Sequence, residues 1–454
     1  MGKKTYIGVD SVARKVKKAY IGVDNVARKI KKMYIGDADG KARLFFSGGD
    51  FPFTGVVYPN YEYSSTNKYL CYQTWNGSDF SDEKSILWSN MYTNSNYYNG
   101  FAVSKNGRVI VPYCSTSSTN ISVAVWDETN QTYTSASGNG FLIDIMRSNV
   151  SGSVYMSHSI YVSNNGEQII VPVYSSTGSY YSPYASLFDK QYSSGSAYLL
   201  FFDVNIEAKT FSFSKGIYIY GVHDSNSEGH NGFANGYSLF SESDDNLIFV
   251  SGNSEYIYLY YINIKEKTAN FISSINGYGC ALSSNGKYLK VYNYETNNNE
   301  CYYLNGTSRT KLSTIFNGGA GSNTSFGHVF VPDENQSIMY CPSGSYIYCY
   351  AVNGTTITSL GSIYTFSKFA DGFHLHSWSV ICDMHNNKML SRGAISTTTG
   401  TGSLAYTQAE GIADVSIDSS GKITAFKITR RLSGTAVANL YQSNVSKFIN
   451  KDDM

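Results

Sequence analysis

One short pattern keeps returning between residues 100 and 340: an apolar run, a serine, an Asn-Gly turn and a second, more apolar run. Phe101-Ala102-Val103-Ser104-Lys105-Asn106-Gly107-Arg108-Val109-Ile110-Val111 is one copy, and the stretches from Ile160 to Val171 and from Ala281 to Val291 repeat it closely. Looser copies run from Tyr237 to Val250 and from Val329 to Tyr340. Asn-Gly between two runs of β-branched and aromatic residues is a hairpin signal, because glycine reaches positive φ without strain. A third strand ending in a tight turn follows each copy, as in Val123 to Asp127, Leu200 to Val204, Tyr258 to Ile262 and Tyr348 to Val352. A fourth strand comes next, as in Thr268 to Ile272. Repetition on this scale means that each unit buries its faces against copies of itself.

Four strands per ~40 to 60 residues, with Asn-Gly at the first turn, is the arrangement of a β-propeller blade. The turn sequence resembles the first hairpin of WD-repeat and related propellers, although Trp-Asp itself occurs once, at Trp126-Asp127. Units near 55–95, 100–138, 155–215, 230–275, 277–316, 326–363 and 370–430 predict an all-β fold of about seven four-stranded blades. Six or eight blades, or a β-sandwich or a pair of them, are the alternatives. The strands are continuously apolar rather than alternating, as strands covered on both faces should be. Composition agrees: 41 Tyr, 24 Phe and 41 Gly favour strands and turns, while charged residues make up only 15% of the chain, against about a quarter in an average protein. The expected organisation is a basic segment at 1–46, a propeller over 47–430, and a closing strand or tail at 431–454.

The net charge of +1 hides an asymmetry. Residues 1–32 carry ten Lys and Arg against Asp10 and Asp24, for +8, while the remainder is net −7. The basic segment is a tandem repeat. Tyr6-Ile7-Gly8-Val9-Asp10-Ser11-Val12-Ala13-Arg14-Lys15-Val16-Lys17-Lys18 recurs 14 residues later from Tyr20 to Lys32, and a degenerate third copy opens at Tyr34-Ile35-Gly36 and closes at Ala42-Arg43-Leu44-Phe45-Phe46. Asp-Ser, Asp-Asn and Asp-Gly between strand-type residues predict a small β-meander. The rival reading makes Asp10 and Asp24 helix N-caps. Units this short cannot bury a face alone, so the segment is expected to dock on something or pair with copies of itself.

This repeat, over about residues 3 to 46, resembles the N-terminal repeats of tail and baseplate-associated structural proteins in phages and prophages of gut Firmicutes. The resemblance implies a virion component whose N-terminus attaches to the particle, with Tyr6, Arg14, Tyr20, Arg28, Tyr34 and Arg43 as the attachment residues. It implies other virion proteins as partners, a homo-oligomer on the particle, and assembly in the bacterial cytoplasm. A basic run also suits nucleic acid, but the net-acidic body would repel phosphate, and nucleic acid is not expected. No membrane insertion is expected, because no run of ~18 apolar residues occurs. Seven scattered cysteines without a C-x-x-C pair are expected to be reduced, buried thiols.

Catalytic signatures are missing from the sequence. It contains no Gly-x-Ser-x-Gly elbow, no His-Glu-x-x-His helix and no phosphate loop, and the Ser-x-Asp-x-Gly-x-Thr-Trp box of sialidase propellers has no match. The expectation is a non-enzymatic protein without cofactor or metal. One cluster invites a metal test: His374 and His376 at alternate positions of a strand, followed by Asp383 and His385. Two insertions break the blade rhythm. The stretch from Tyr174 to Tyr198 holds Tyr180, Tyr181, Tyr184 and Tyr192, and that from Gly216 to Gly236 holds His223, Asp224 and His230. Tyr among Ser, Gly and Asn is the composition of adaptable binding loops, and aromatic faces beside Asn and Asp suit sugars. These seven residues are the candidate ligand contacts, with a host-surface glycan as the candidate ligand. The sequence-level reading is a host-attachment propeller of a phage tail or baseplate. A decoration or assembly protein and a polysaccharide-degrading propeller are the alternatives.

Overall fold

A computed structural model describes the backbone of six N-terminal strands and the chain from Phe51 to Asn450. Outside the described residues lie the segments 62–67, 88–98, 115–119, 147–153, 176–183, 191–195, 220–237, 319–325, 333–336, 369–373, 397–406 and 433–445, with a few shorter ones. Seven four-stranded antiparallel blades form a propeller. From inner to outer strand, blade 1 comprises Lys447–Ile449, Gly55–Tyr61, Lys68–Thr74 and Lys84–Leu87. Blades 2 to 7 begin with the inner strands Asn99–Val103, Tyr161–Val162, Ser238–Phe240, Cys280–Ser283, Phe326–Val329 and His374–His385. Inner strands of neighbouring blades run side by side around the axis. Those of blades 5 and 6 pair in parallel, Cys280 with Phe326 through Ser283 with Val329.

The apolar strands are buried on both faces because each blade is sandwiched between two others. Seven hydrophobic clusters fill the seven blade interfaces, and successive residues of one strand belong to different clusters. Val57 packs toward blade 2 while Val56 packs toward blade 7; Ile169 and Val171 face blade 2 while Ile170 faces blade 4. Period-2 geometry combined with two apolar neighbours removes the alternation that a one-sided sheet would show.

The repeated turn has one hydrogen-bond scheme. Ser104, Ser163 and Ser283 each donate through Oγ to Oδ1 of the asparagine two residues on, at 2.7–2.8 Å. The same Oγ accepts the amide of the fifth residue along, from Val109, Gln168 and Tyr288, at 2.8–3.0 Å. Gly107, Gly166 and Gly286 occupy φ of +70, +77 and +69°, where a side chain would be strained. The turn between third and outer strands is also shared. Asp127, Asn205 and Asn263 accept backbone amides of the turn at 2.9–3.0 Å, as Asx turns do. Residues at positive φ close these turns, and two are lysines that reach the preceding blade: Lys209 to Asp127 at 2.5 Å and Lys267 to Asp203 at 2.7 Å.

The ring closes through Lys447–Ile449, which pairs with Gly55–Val57 of blade 1 in antiparallel register. On the rim, Arg430 of blade 7 holds the blade 1 loop by donating to Gln73 Oε1 (2.6 Å), Asp79 Oδ1 (3.1 Å) and two backbone carbonyls, with its guanidinium over the Phe80 ring.

The N-terminal repeat forms three antiparallel hairpins, Tyr6–Val9 with Val12–Lys15, Ala19–Val23 with Val26–Ile30, and Lys32–Gly36 with Ala42–Ser47. The expected meander is therefore divided: each hairpin is a separate two-stranded sheet, with no pairing from one to the next among the described strands. Two-residue connections at Asp10-Ser11 and Asp24-Asn25 favour local pairing within each 14-residue copy. The register sets Arg14 opposite Ile7, Arg28 opposite Ile21 and Arg43 opposite Ile35; Tyr6 and Tyr20 pair with Lys15 and Lys29, and Tyr34 pairs with Leu44.

Candidate functional site

Antiparallel pairing gives the propeller two unlike ends. Connections from first to second and from third to fourth strands leave at one end, called here the turn end. Second-to-third and blade-to-blade connections leave at the other, the loop end. The chain enters blade 1 at Gly55, the start of a second strand, and hence at the turn end: Gly55 pairs with Ile449 and Thr74, and Asn450 Nδ2 donates to Thr54 Oγ1 at 2.8 Å. Both tyrosine-rich insertions belong to the loop end, since residues 176–195 join the second and third strands of blade 3 and residues 220–237 join blade 3 to blade 4.

At the turn end the axis is filled by charge. The residues after the turn serines, Lys105, Asn164 and Glu242, converge with His328 and Lys447 around a cavity of about 20 Å³, room for one water molecule. Lys447 Nζ donates to both Glu242 oxygens at 2.9 and 3.0 Å and to the Cys382 carbonyl at 2.9 Å. Burial alone would lower the Lys447 ammonium, but the Glu242 and Asp383 carboxylates beside it hold it above the usual lysine range. Next to this pair, His328 is 3% exposed and its Nδ1 has no hydrogen-bond partner. Burial pulls its imidazole down to about 4, with Glu242 opposing and Lys447 reinforcing the shift. The histidine is thus neutral at physiological pH.

Two further contacts tie down the closing strand. Phe448 N donates to Asp383 Oδ2 at 3.1 Å, and Ser446 Oγ donates to Glu410, which forms a buried ion pair with Arg392. Lys447 with Glu242, and Arg392 with Glu410, are fully paired charges, the form in which buried charge is tolerated. This arrangement is a lock on ring closure.

The sequence-predicted residues fall in different places. Tyr180, Tyr181, Tyr192, His223, Asp224 and His230 lie outside the described residues, as do the side chains of the six attachment positions. Tyr184 is half-buried: its ring meets Phe213 edge-on at 5.5 Å, and Phe213 in turn touches Phe188 at 5.4 Å. It packs a loop onto blade 3. His374, His376, Asp383 and His385 share one inner strand, where Asp383 lies seven positions beyond His376, about 23 Å of extended backbone. One ion cannot bridge that span, and Asp383 is engaged with backbone amides of Met384 and Phe448. Among the described residues no group of three His, Cys, Asp or Glu is placed to hold a metal. Six cysteines, Cys71, Cys280, Cys301, Cys341, Cys349 and Cys382, are buried free thiols; burial pushes Cys301 up to about 11 and Cys382 up to about 12.

Sequence reasoning passed over Lys447, Glu242, Arg392 and Glu410. The available signal was positional: Glu242 follows Ser241 as Lys105 follows Ser104, so the two occupy equivalent places in their blades.

No protein-family model and no curated protein matches the chain. Among solved structures, a Bacteroides fragilis protein provisionally named a 6-phosphogluconolactonase is similar at 13% identity and TM-score 0.47, with 87% of this chain and 98% of that one covered. A Lactobacillus plantarum protein is similar at 12% identity and TM-score 0.45, covering 87% and 99%. A periplasmic gluconolactonase of Pseudomonas aeruginosa is similar at 10% identity and TM-score 0.41, covering 84% and 96%.

Proposed function

We propose that this chain is a non-enzymatic structural protein of a bacteriophage tail or baseplate, anchored to the particle by its N-terminal hairpins and presenting the loop end of its propeller to a host-surface glycan. The observation that carries this reading is the polarity of the disc: the basic hairpin repeat joins the ring at the turn end, opposite the end from which the tyrosine-rich insertions depart. Three further features support it. The ring completes its first blade with Lys447–Ile449 and no hairpin strand, so the hairpins are spare for docking. The +8 charge of residues 1–32 suits an acidic protein surface. The charged lock fills the axis at the turn end, so recognition falls to the surfaces of the opposite end.

Incubating the purified chain with host envelope polysaccharide tests the reading. Retention without cleavage is the expected result. Release of oligosaccharide would make it a polysaccharide-degrading enzyme, and the absence of both retention and release would leave a decoration or assembly protein.

A further inference from the structure

Tyr346, Tyr348 and Tyr364 form an aromatic patch at the loop end of blade 6. Tyr346 opens the third strand of the blade (Tyr346–Asn353) and Tyr364 closes its outer strand (Thr356–Tyr364), and the register sets the two opposite each other. Their ring centroids are 5.2 Å apart, with Tyr348 a further 6.3 Å from Tyr346 along the same face. Tyr346 is 43% and Tyr364 55% exposed, while the intervening Ile347 is fully buried on the opposite face with Ile363 packed nearby. Among the described residues this is the one ring contact in which both partners are exposed large aromatics.

Blade 4 provides an internal comparison. Its third strand opens with the same Tyr256-Ile257-Tyr258, rings 6.1 Å apart, but the residue opposite Tyr256 is Asn276, where blade 6 has Tyr364. The tyrosine pair is thus shared by blades 4 and 6, and the third tyrosine is an addition of blade 6. Neither strand of the blade 6 pair contains a charged residue, and the exposed residue beside the patch on the outer strand is Ser362, paired with Tyr348. Aromatic faces beside a hydroxyl, on strands without charged side chains, match an uncharged ligand with apolar ring faces and hydroxyl edges.

We propose that Tyr346, Tyr348 and Tyr364 are a stacking platform for a neutral saccharide. The platform rests on the glycan-attachment reading above and assigns it a location. It lies at the end of the disc from which the tyrosine-rich insertions leave, on rigid strands. Stacked aromatics bind with little loss of side-chain entropy, since each ring is already held by its neighbours.

The test is affinity electrophoresis of the full chain through gels containing host envelope polysaccharide, and separately through dextran, mannan and galactan as neutral probes. Wild type is expected to be retarded by the envelope material and by at least one neutral polymer. Tyr364→Ala and Tyr346→Ala should each weaken retardation about tenfold, equal to about 1.4 kcal/mol. Tyr364→Phe should preserve it, and Tyr256→Ala in blade 4 should leave it unchanged. Thermal unfolding checks that each variant is folded. If wild type is retarded by envelope material and the alanine variants match it, the platform is wrong while glycan attachment stands. If wild type is retarded by nothing, both fall. If Tyr364→Ala instead converts a self-associating chain to monomers in sedimentation, the patch is a contact between copies and the proposal is overturned.

Discussion

Single residues set the geometry of the turn end. Gly107 sits at φ +70°, and an added Cβ there would lie 2.5 to 2.9 Å from the Ile449 side chain. Gly107→Ala thus combines backbone strain with a clash against the closing strand. It should destabilise the ring by about 2 to 3 kcal/mol in denaturant unfolding. At Gly306, where φ is +59° and nothing lies within 4 Å, alanine should cost only about 1 kcal/mol, which isolates the strain contribution. His328 links stability to pH. Its folded value near 4 is below its ordinary 6.5, so the unfolded chain binds the proton more readily. The contribution of the neutral imidazole is complete above pH 6.5 and is lost as pH falls toward 4, about 3 kcal/mol across that window. Replacement by glutamine, His328→Gln, should flatten this limb of the stability-pH curve; an unchanged limb would assign it to other groups.

At the scale of elements, the closing strand is the decisive piece. It is three residues long, so its backbone pairing alone is weak. Charged side chains supply the rest. Lys447 spans 205 positions to Glu242 of blade 4, and Ser446 joins the Arg392–Glu410 pair of blade 7. Removing one member of such a pair leaves a buried charge without its partner, so Lys447→Met or Glu242→Leu should each cost about 3 kcal/mol. The double variant should be less destabilised than the sum, and a double-mutant cycle measured by chemical denaturation reads that coupling. Strictly additive losses would mean that the ion pair does not hold the strand.

These elements differ in how visible they are in the sequence. The blade boundaries are legible because every Ser-x-Asn-Gly turn is a local event: serine, asparagine and glycine satisfy one another within six residues, and the adjoining strands reveal two-sided burial by their unbroken apolar runs. The hairpin character of the N-terminal repeat is legible for the same reason, although separate hairpins rather than a meander required knowing which strands pair. The axial lock is not legible, because Lys447 and Glu242 acquire meaning only when the ring brings them together. His374, His376, Asp383 and His385 illustrate the reverse case, neighbours in sequence that one extended strand holds apart. Tyr346 and Tyr364 were hidden by abundance, since in a chain with 41 tyrosines only register distinguishes a platform from packing.

The molecule as a whole is a closed seven-bladed disc with a basic hairpin segment entering at one end and aromatic surface at the other. Its near-neutral charge is the sum of these parts: +8 in residues 1–32 against −7 elsewhere. A ring that closes through its own C-terminal strand does not need its N-terminal hairpins to fold, so removing residues 1–46 should leave the thermal unfolding of the propeller within a few degrees of the full chain. The central claim is that those hairpins are the anchor. The most direct test is particle incorporation, in which phage assembled with the chain lacking residues 1–46 is purified and the protein bound per particle is quantified against wild type. With the hairpins as the anchor, the truncated, folded propeller is absent from particles and remains in the soluble fraction. Incorporation at the wild-type level would contradict that claim and place the attachment surface on the propeller itself.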